Sequence, residues 1–402
     1  GAPKKKSRAW IWVTVAVVLM VGIGAAVTLV VLQPWSDDSS SKKADEEKDS
    51  PEKAVQSDID GDGRGDAVYR IRYDYDNVKQ VTALSDGEKF ETSETAVDAD
   101  SKSQQMYLDW DGDGVNEDLT TNVIGSASQL TLSSADDDWP EDQTFTFSFS
   151  SLREYGDPDM RVTHGDFDGD GNEDLAVAGQ NKKKVDIYVL AGDGKGTFAD
   201  PSPWVSVPNA VIDVMSFYPG DFDKDGDADL WVELPSGRLD AKAYKTGYYG
   251  DRGYELLTSD GKSFTPGAVV KAPGYYNLLL VGDVTGDGTD SIVGVDSDSY
   301  NKSVTITVFD VSGGQMTTVT GFAGSSKIGK RTVQSAQLSD VDGDGKADIV
   351  FAAKDYEEKA FTGLQVMRST GAVFESASVW AEIPVCPDDS CRLEFEGAAD
   401  RY

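Results

Sequence analysis

Histidine is almost missing: His164 is the single copy among 402 residues. That scarcity argues against His-based triads and against zinc sites built from several imidazoles. Cysteine is nearly as rare, with only Cys386 and Cys391, close together near the C-terminus. Basic residues are also short, 37 Lys and Arg against 71 Asp and Glu, for a formal net charge of -34. Such a surface repels nucleic acid, whose binders cluster Lys and Arg to displace counterions. The excess acid is either a solvating tail or a set of carboxylates gathered to hold cations, and the placement of the Asp residues decides which. Glycine (41 residues), 10% aromatics and 27% charged residues suit a β-rich globular chain.

Long apolar runs are missing too, with one exception. Trp10 to Leu32 carries no charge. As a helix it would cover roughly 34 Å, enough for a hydrocarbon core of about 30 Å. Lys4, Lys5, Lys6 and Arg8 precede it, and Asp37 and Asp38 follow. The positive-inside rule then puts residues 1–9 in the cytoplasm and everything after Leu32 outside a plasma membrane, as a single-pass signal anchor. The alternative is a cleaved signal peptide, but the run is long for one and no clear small-x-small site follows it. Residues 33–53 are polar and charged without apolar periodicity, which predicts a disordered stalk. On this topology the cysteines lie in an oxidising compartment, so a Cys386–Cys391 disulfide is expected, with two free thiols as the alternative.

From Asp58 onward one loop recurs: DIDGDGRGD (58–66), DWDGDGVNED (109–118), DFDGDGNED (166–174), DFDKDGDAD (221–229), DVTGDGTDS (283–291) and DVDGDGKAD (340–348). The starts are 51, 57, 55, 62 and 57 residues apart. Repetition at about 50 residues points to a propeller or solenoid. Carboxylates at loop positions 1, 3 and 5 converge when the backbone coils tightly. Glycine at position 6 permits the turn, and a carboxylate at position 9 closes the shell. Hard oxygen donors in that number suit Ca²⁺, and without a cation they would repel one another. An EF-hand begins the same way but needs Glu at position 12 and flanking helices. Position 12 here is Tyr69, Thr120, Val177, Val232, Gly294 and Phe351, each within an apolar, strand-like run.

The rest of each repeat also recurs. A second strand follows, then a glycine hairpin ending in an aromatic at Phe90, Phe198, Phe264 and Phe374. Those rings are expected to pack between neighbouring sheets. Another short strand precedes each loop, and four strands per repeat make a propeller blade. The loops, the DLxV-type strand and the G-x-F hairpin together resemble FG-GAP/VCBS repeats, the blade unit of integrin α-subunit propellers and many bacterial surface proteins. The resemblance spans residues 54–402 and implies an all-β, six-bladed propeller with calcium in the loop between the first two strands of a blade. By position it implies as ligands Asp58, Asp60, Asp62 and Asp66; Asp166, Asp168, Asp170 and Asp174; Asp221, Asp223, Asp225 and Asp229; and Asp340, Asp342, Asp344 and Asp348. The second loop has an extra residue, so Asp109, Asp111 and Asp113 are closed by Glu117 or Asp118. The fifth has Thr285 and Ser291 at positions 3 and 9, leaving Asp283, Asp287 and Asp290, and is expected to bind most weakly.

The C-terminal RLEFEGAAD (392–400) resembles the strand before each loop and stops where another loop would begin. Pairing it with the first blade would close a six-bladed ring. Seven blades would need a loopless blade in the short segment after Glu375. Propellers are scaffolds, so function is sought in loops. The best-marked is the expanded fourth-repeat loop with Tyr244, Tyr248, Tyr249, Arg252 and Tyr254, suited to a sugar or a protein, or else filling gaps between blades. Arg64-Gly65-Asp66 spells an integrin-recognition tripeptide, but Asp66 is position 9 of the first loop and should turn inward. The leading expectation is an extracellular, membrane-anchored calcium-binding module for a protein or envelope polysaccharide, not an enzyme. The alternatives are a docking subunit of a larger membrane complex, or a calcium-dependent polysaccharide lyase or phosphodiesterase.

Overall fold

The computed structural model describes residues 57–395 except 74–76, 98–103, 125–127, 137, 151–159, 236–251, 275, 299–301, 329–330, 356–359 and 384–390. The expected anchor over Trp10–Leu32, the 1–9 segment and the 33–53 stalk lie outside these residues. Among the described residues no helix is long and apolar enough to cross a membrane.

Each repeat turns its alternating and β-branched runs into a short antiparallel sheet. The strands are β1 (Ala67–Arg72), β2 (Val78–Ser85) and β3 (Phe90–Val97); β4 (Gln104–Leu108), β5 (Glu117–Ile124), β6 (Gln129–Ser133) and β7 (Gln143–Thr146); β8 (Met160–Gly165), β9 (Asp174–Asn181), β10 (Lys184–Leu190) and β11 (Ser202–Pro208). Then come β12 (Ser216–Gly220), β13 (Asp229–Pro235), β14 (Arg252–Ser259) and β15 (Phe264–Pro266); β16 (Leu278–Gly282), β17 (Ser291–Asp298), β18 (Ser303–Asp310) and β19 (Thr317–Lys327); and β20 (Arg331–Ser339), β21 (Asp348–Asp355), β22 (Ala360–Met367), β23 (Ser378–Ala381) and β24 (Arg392–Phe395). They form six four-stranded sheets, five of them consecutive in sequence. The sixth is β24-β1-β2-β3, with Tyr69 opposite Phe395 and Ile71 opposite Leu393. The C-terminal strand therefore completes the first blade. This is a six-bladed β-propeller, and the seven-bladed alternative falls.

Burial follows position within the blade. The first strands β8, β12, β16 and β20 touch in succession, and β20 touches β24, so these strands line the axis. Second strands are covered on both faces, and Ile349 through Ala353 of β21 are all fully buried. A strand so placed reads as a continuous apolar run instead of an alternating one. The outer strand β3, FETSETAV, exposes most of its residues. Apolar clusters lie between blades: one joins the first and sixth, others the second and third, third and fourth, fourth and fifth, and fifth and sixth. The hairpin aromatics complete them, with Phe90 5.4 Å from Trp380, Phe264 4.9 Å from Trp204 and Phe374 5.4 Å from Phe322, each on the preceding blade. Phe198 is likewise buried. The rings serve blade packing, as expected.

Candidate metal centres

All six acidic loops end at the start of a second strand, on one rim of the ring. Within a loop the position-1 carboxylate organises the backbone. Asp340 Oδ1 accepts the amides of Gly343 (2.9 Å) and Asp344 (3.0 Å), and Oδ2 accepts Gly345 (2.8 Å). Asp58 receives Gly61 (2.8 Å), Asp62 (3.3 Å) and Gly63 (2.8 Å) in the same way. The position-9 carboxylate ties the loop to the blade behind it. Asp66 accepts Ile59 N at 2.9 Å on one oxygen and Ser85 N at 2.7 Å on the other. Asp174 accepts Phe167 and Gly192 amides at 2.9 and 2.8 Å. These two roles were not visible as such in the sequence.

Five loops gather three carboxylate oxygens within 4.8 Å of one another: Asp58, Asp60 and Asp62; Asp109, Asp111 and Glu117; Asp166, Asp168 and Asp174; Asp221, Asp223 and Asp225; Asp340, Asp342 and Asp344. In the second loop Glu117 is the closing residue. Asp118 turns away and accepts a hydrogen bond from Gln105 Nε2. Asp113 and Asp170 lie outside these triples and accept the Val115 and Asn172 amides, both at 2.9 Å. Asp66, Asp229 and Asp348 are fully buried behind their loops.

Among the described residues the fifth loop forms no such triple. Thr285 Oγ1 donates to Asp283 Oδ1 at 3.1 Å, and Asp290, a possible ligand by sequence, instead accepts the Asp221 amide at 2.9 Å. Burial pushes Asp287 up, but hydrogen bonds from Thr289 and Thr285 and the nearby Lys224 outweigh it, and its pKa falls below the ordinary value.

The clusters fit a hard divalent cation. Asp348 Oδ2, Asp342 Oδ1 and Glu117 Oε2 are buried without a hydrogen-bond partner, a costly state for a carboxylate oxygen unless a cation completes its shell. Burial first, then neighbouring carboxylates, pushes Asp348 and Glu117 up to about 8. Burial likewise carries Asp174 to about 8, Asp229 to about 7, and Asp66 and Asp166 to about 6. Closely set acids that resist ionising are what a bound cation would stabilise.

Backbone hydrogen bonds also stitch the loops to one another. The position-8 amide of one loop donates to the position-1 carbonyl of the preceding loop: Gly65 to Asp340 (2.7 Å), Asn116 to Asp58 (2.6 Å), Ala228 to Asp166 (2.6 Å), Asp290 to Asp221 (2.9 Å) and Ala347 to Asp283 (2.8 Å). Ser85, Ser259 and Ser369 add hydroxyl bonds to Val341 O (2.6 Å), Phe167 O (2.8 Å) and Val284 O (2.5 Å) of the preceding loop. The position-7 side chain overlies position 4 of that same loop. A Cβ at Gly169 would sit 1.9 Å from Asp227 Oδ1, at Gly61 2.9 Å from Val115 Cγ2, and at Gly286 2.9 Å from Lys346 Cγ. Glycine at position 4 is thus required by the neighbouring blade as well as by its positive φ.

The remaining sequence candidates sort plainly. Tyr254 is a correction: it is buried (7% exposed) in β14, with its ring 5.9 Å from Trp231, because the register sets it opposite Glu233 within the sheet. Tyr244, Tyr248 and Tyr249 lie outside the described residues, as does the Arg252 side chain. The Arg64-Gly65-Asp66 tripeptide is closed to a partner: Asp66 is buried, the Gly65 amide is spent on Asp340 O, and Arg64 pairs with Asp62. His164 Nδ1 lies 2.9 Å from Glu173 Oε2, a local structural pair. Cys391 is buried beside β24, while Cys386 lies outside the described residues.

An FG-GAP-like repeat family model matches residues 166–232, which hold the third and fourth loops and the strands β9 to β12 between them. No curated protein matches the chain. Similar solved structures include the rhamnogalacturonan lyase YesW, at 14% identity and TM-score 0.34 over 80% of this chain and 62% of the lyase. The β-propeller domain of the Trilobed protease from Pyrococcus furiosus is similar at 11% identity and TM-score 0.37, over 79% of this chain and 86% of that one. The Tc holotoxin pore of Photorhabdus luminescens is similar at 16% identity and TM-score 0.39, over 75% of this chain and 13% of the toxin. The chain spans less than two thirds of the lyase's length.

Proposed function

We propose that this chain is a calcium-loaded propeller, anchored outside a membrane by Trp10–Leu32 and serving as a binding and adhesion module for a protein or envelope polysaccharide. The observation that carries the calcium reading is the buried, unpartnered Asp348 Oδ2 behind Asp340, Asp342 and Asp344, a donor arrangement that four other loops share in outline. Asp58, Asp60, Asp62 and Asp66, and their counterparts in the second, third, fourth and sixth loops, would hold the ions. Bound calcium would supply positive charge that cancels carboxylate repulsion and stiffens the rim. The chain's own carboxylates and amides fix the loop shape around it. A rigid propeller of this kind would present its loops to a ligand. Its ligand surface is assigned to the fourth-repeat tyrosines, and Cys386–Cys391 is assigned as a disulfide beside the closing strand.

Metal analysis of undialysed full-length protein should find about five calcium ions per chain, one for each of the five carboxylate triples. A glycan array and a pull-down with the same protein should then identify its ligand. Tyr248→Ala with Tyr249→Ala should weaken that binding and leave the melting temperature unchanged. Protein without calcium sinks the metal reading, and turnover of a polysaccharide would replace the binding module with an enzyme.

A further inference from the structure

The fifth loop is the one whose residues do not fit a calcium ion, and the structure offers another cation there. The fourth loop carries Lys224 at position 4, where the other five have glycine. Its φ is +64°, a left-handed conformation that L side chains rarely adopt. The strain has a use. The Lys224 ammonium donates to the Asp287 carbonyl of the fifth loop. A Cβ on Gly288 would lie 3.5 Å from both Cε and Nζ of Lys224, so the side chain rests directly on that loop. At this seam position 7 is Thr289, small enough to leave room. Asp290 closes the same seam from the other side, its amide donating to Asp221 O and its carboxylate accepting Asp221 N, both at 2.9 Å.

We propose that Lys224 is a calcium-independent clamp of the seam between blades 4 and 5: its ammonium, on the Asp287 main-chain carbonyl, holds a loop that gathers no carboxylate triple of its own. This rests on calcium filling the other five loops. The loss of carboxylates at positions 3 and 9 and the gain of a lysine at position 4 of the preceding loop are then one compensated change.

The test counts calcium and measures melting on the full chain. Equilibrium dialysis with radioactive calcium should find five ions on the wild type. Lys224→Met, which keeps the stem and the strained backbone, should lower Tm by about 2–4 °C in EDTA and in calcium alike. Six equal ions on the wild type, or an unchanged Tm for Lys224→Met in EDTA, would overturn the proposal. Absence of all calcium would instead strike the calcium reading, and the EDTA measurement would still judge Lys224.

Discussion

At the scale of the residue, the position-9 aspartates carry the most informative chemistry. Asp348 spends one oxygen on the Ser369 amide (2.6 Å) and leaves the other buried without a partner, facing the carboxylates of its own loop. Asp348→Asn keeps an oxygen for that amide and places an NH2 where the unpaired oxygen was. Without calcium the change replaces a buried carboxyl that resists ionising with a neutral amide, so Tm in EDTA should stay level or rise. With calcium it removes a ligand charge, so bound calcium should fall by one ion and Tm should drop. Thermal scans of both proteins in both buffers check the crossing. A purely structural Asp348 would lose stability equally in each.

At the scale of the element, blade count and closure were legible because they depend on local pattern. Apolar second strands such as DLAVAGQN follow each acidic loop, and the repeat spacing delivers them six times. RLEF could be matched to the strand before each loop by eye, and it occupies that place beside β1. What escaped were the contacts that one blade's loop makes with the next. Glycine at position 4 is explained by the position-7 side chain of the next blade, which no single repeat displays. Asp290 looked like a ligand in its own loop and serves the fourth. Tyr254 sat in a tyrosine-rich stretch and was grouped with its loop, although strand register buries it. Closure itself makes a prediction. Leu393 is 1% exposed in the cluster shared by the first and sixth blades, while its neighbour Glu394 is exposed. Leu393→Ala should cost about 2–5 kcal/mol, whereas Glu394→Ala should stay within about 0.5 kcal/mol. Urea unfolding curves of the two variants measure the difference.

At the scale of the molecule, one rim concentrates the acid of a chain with 34 excess negative charges. The pH response follows with a definite sign. Burial raises Glu117, Asp174 and Asp348 to about 8, Asp229 to about 7 and Asp66 and Asp166 to about 6 in the metal-free fold. Unfolded carboxyls release their protons near pH 4. Between roughly pH 4 and 8 the folded chain therefore holds more protons than the unfolded one, and its stability must fall as pH rises through that window. Calcium reverses the trend because it binds the ionised carboxylates, so its stabilisation grows over the same interval. Thermal scans should show Tm in EDTA lower at pH 8 than at pH 5, and a gain on adding calcium that is larger at pH 8. The two curves should converge toward pH 5, where protons neutralise the same oxygens. A calcium gain that did not change with pH would mean that the ion binds somewhere other than these buried carboxylates.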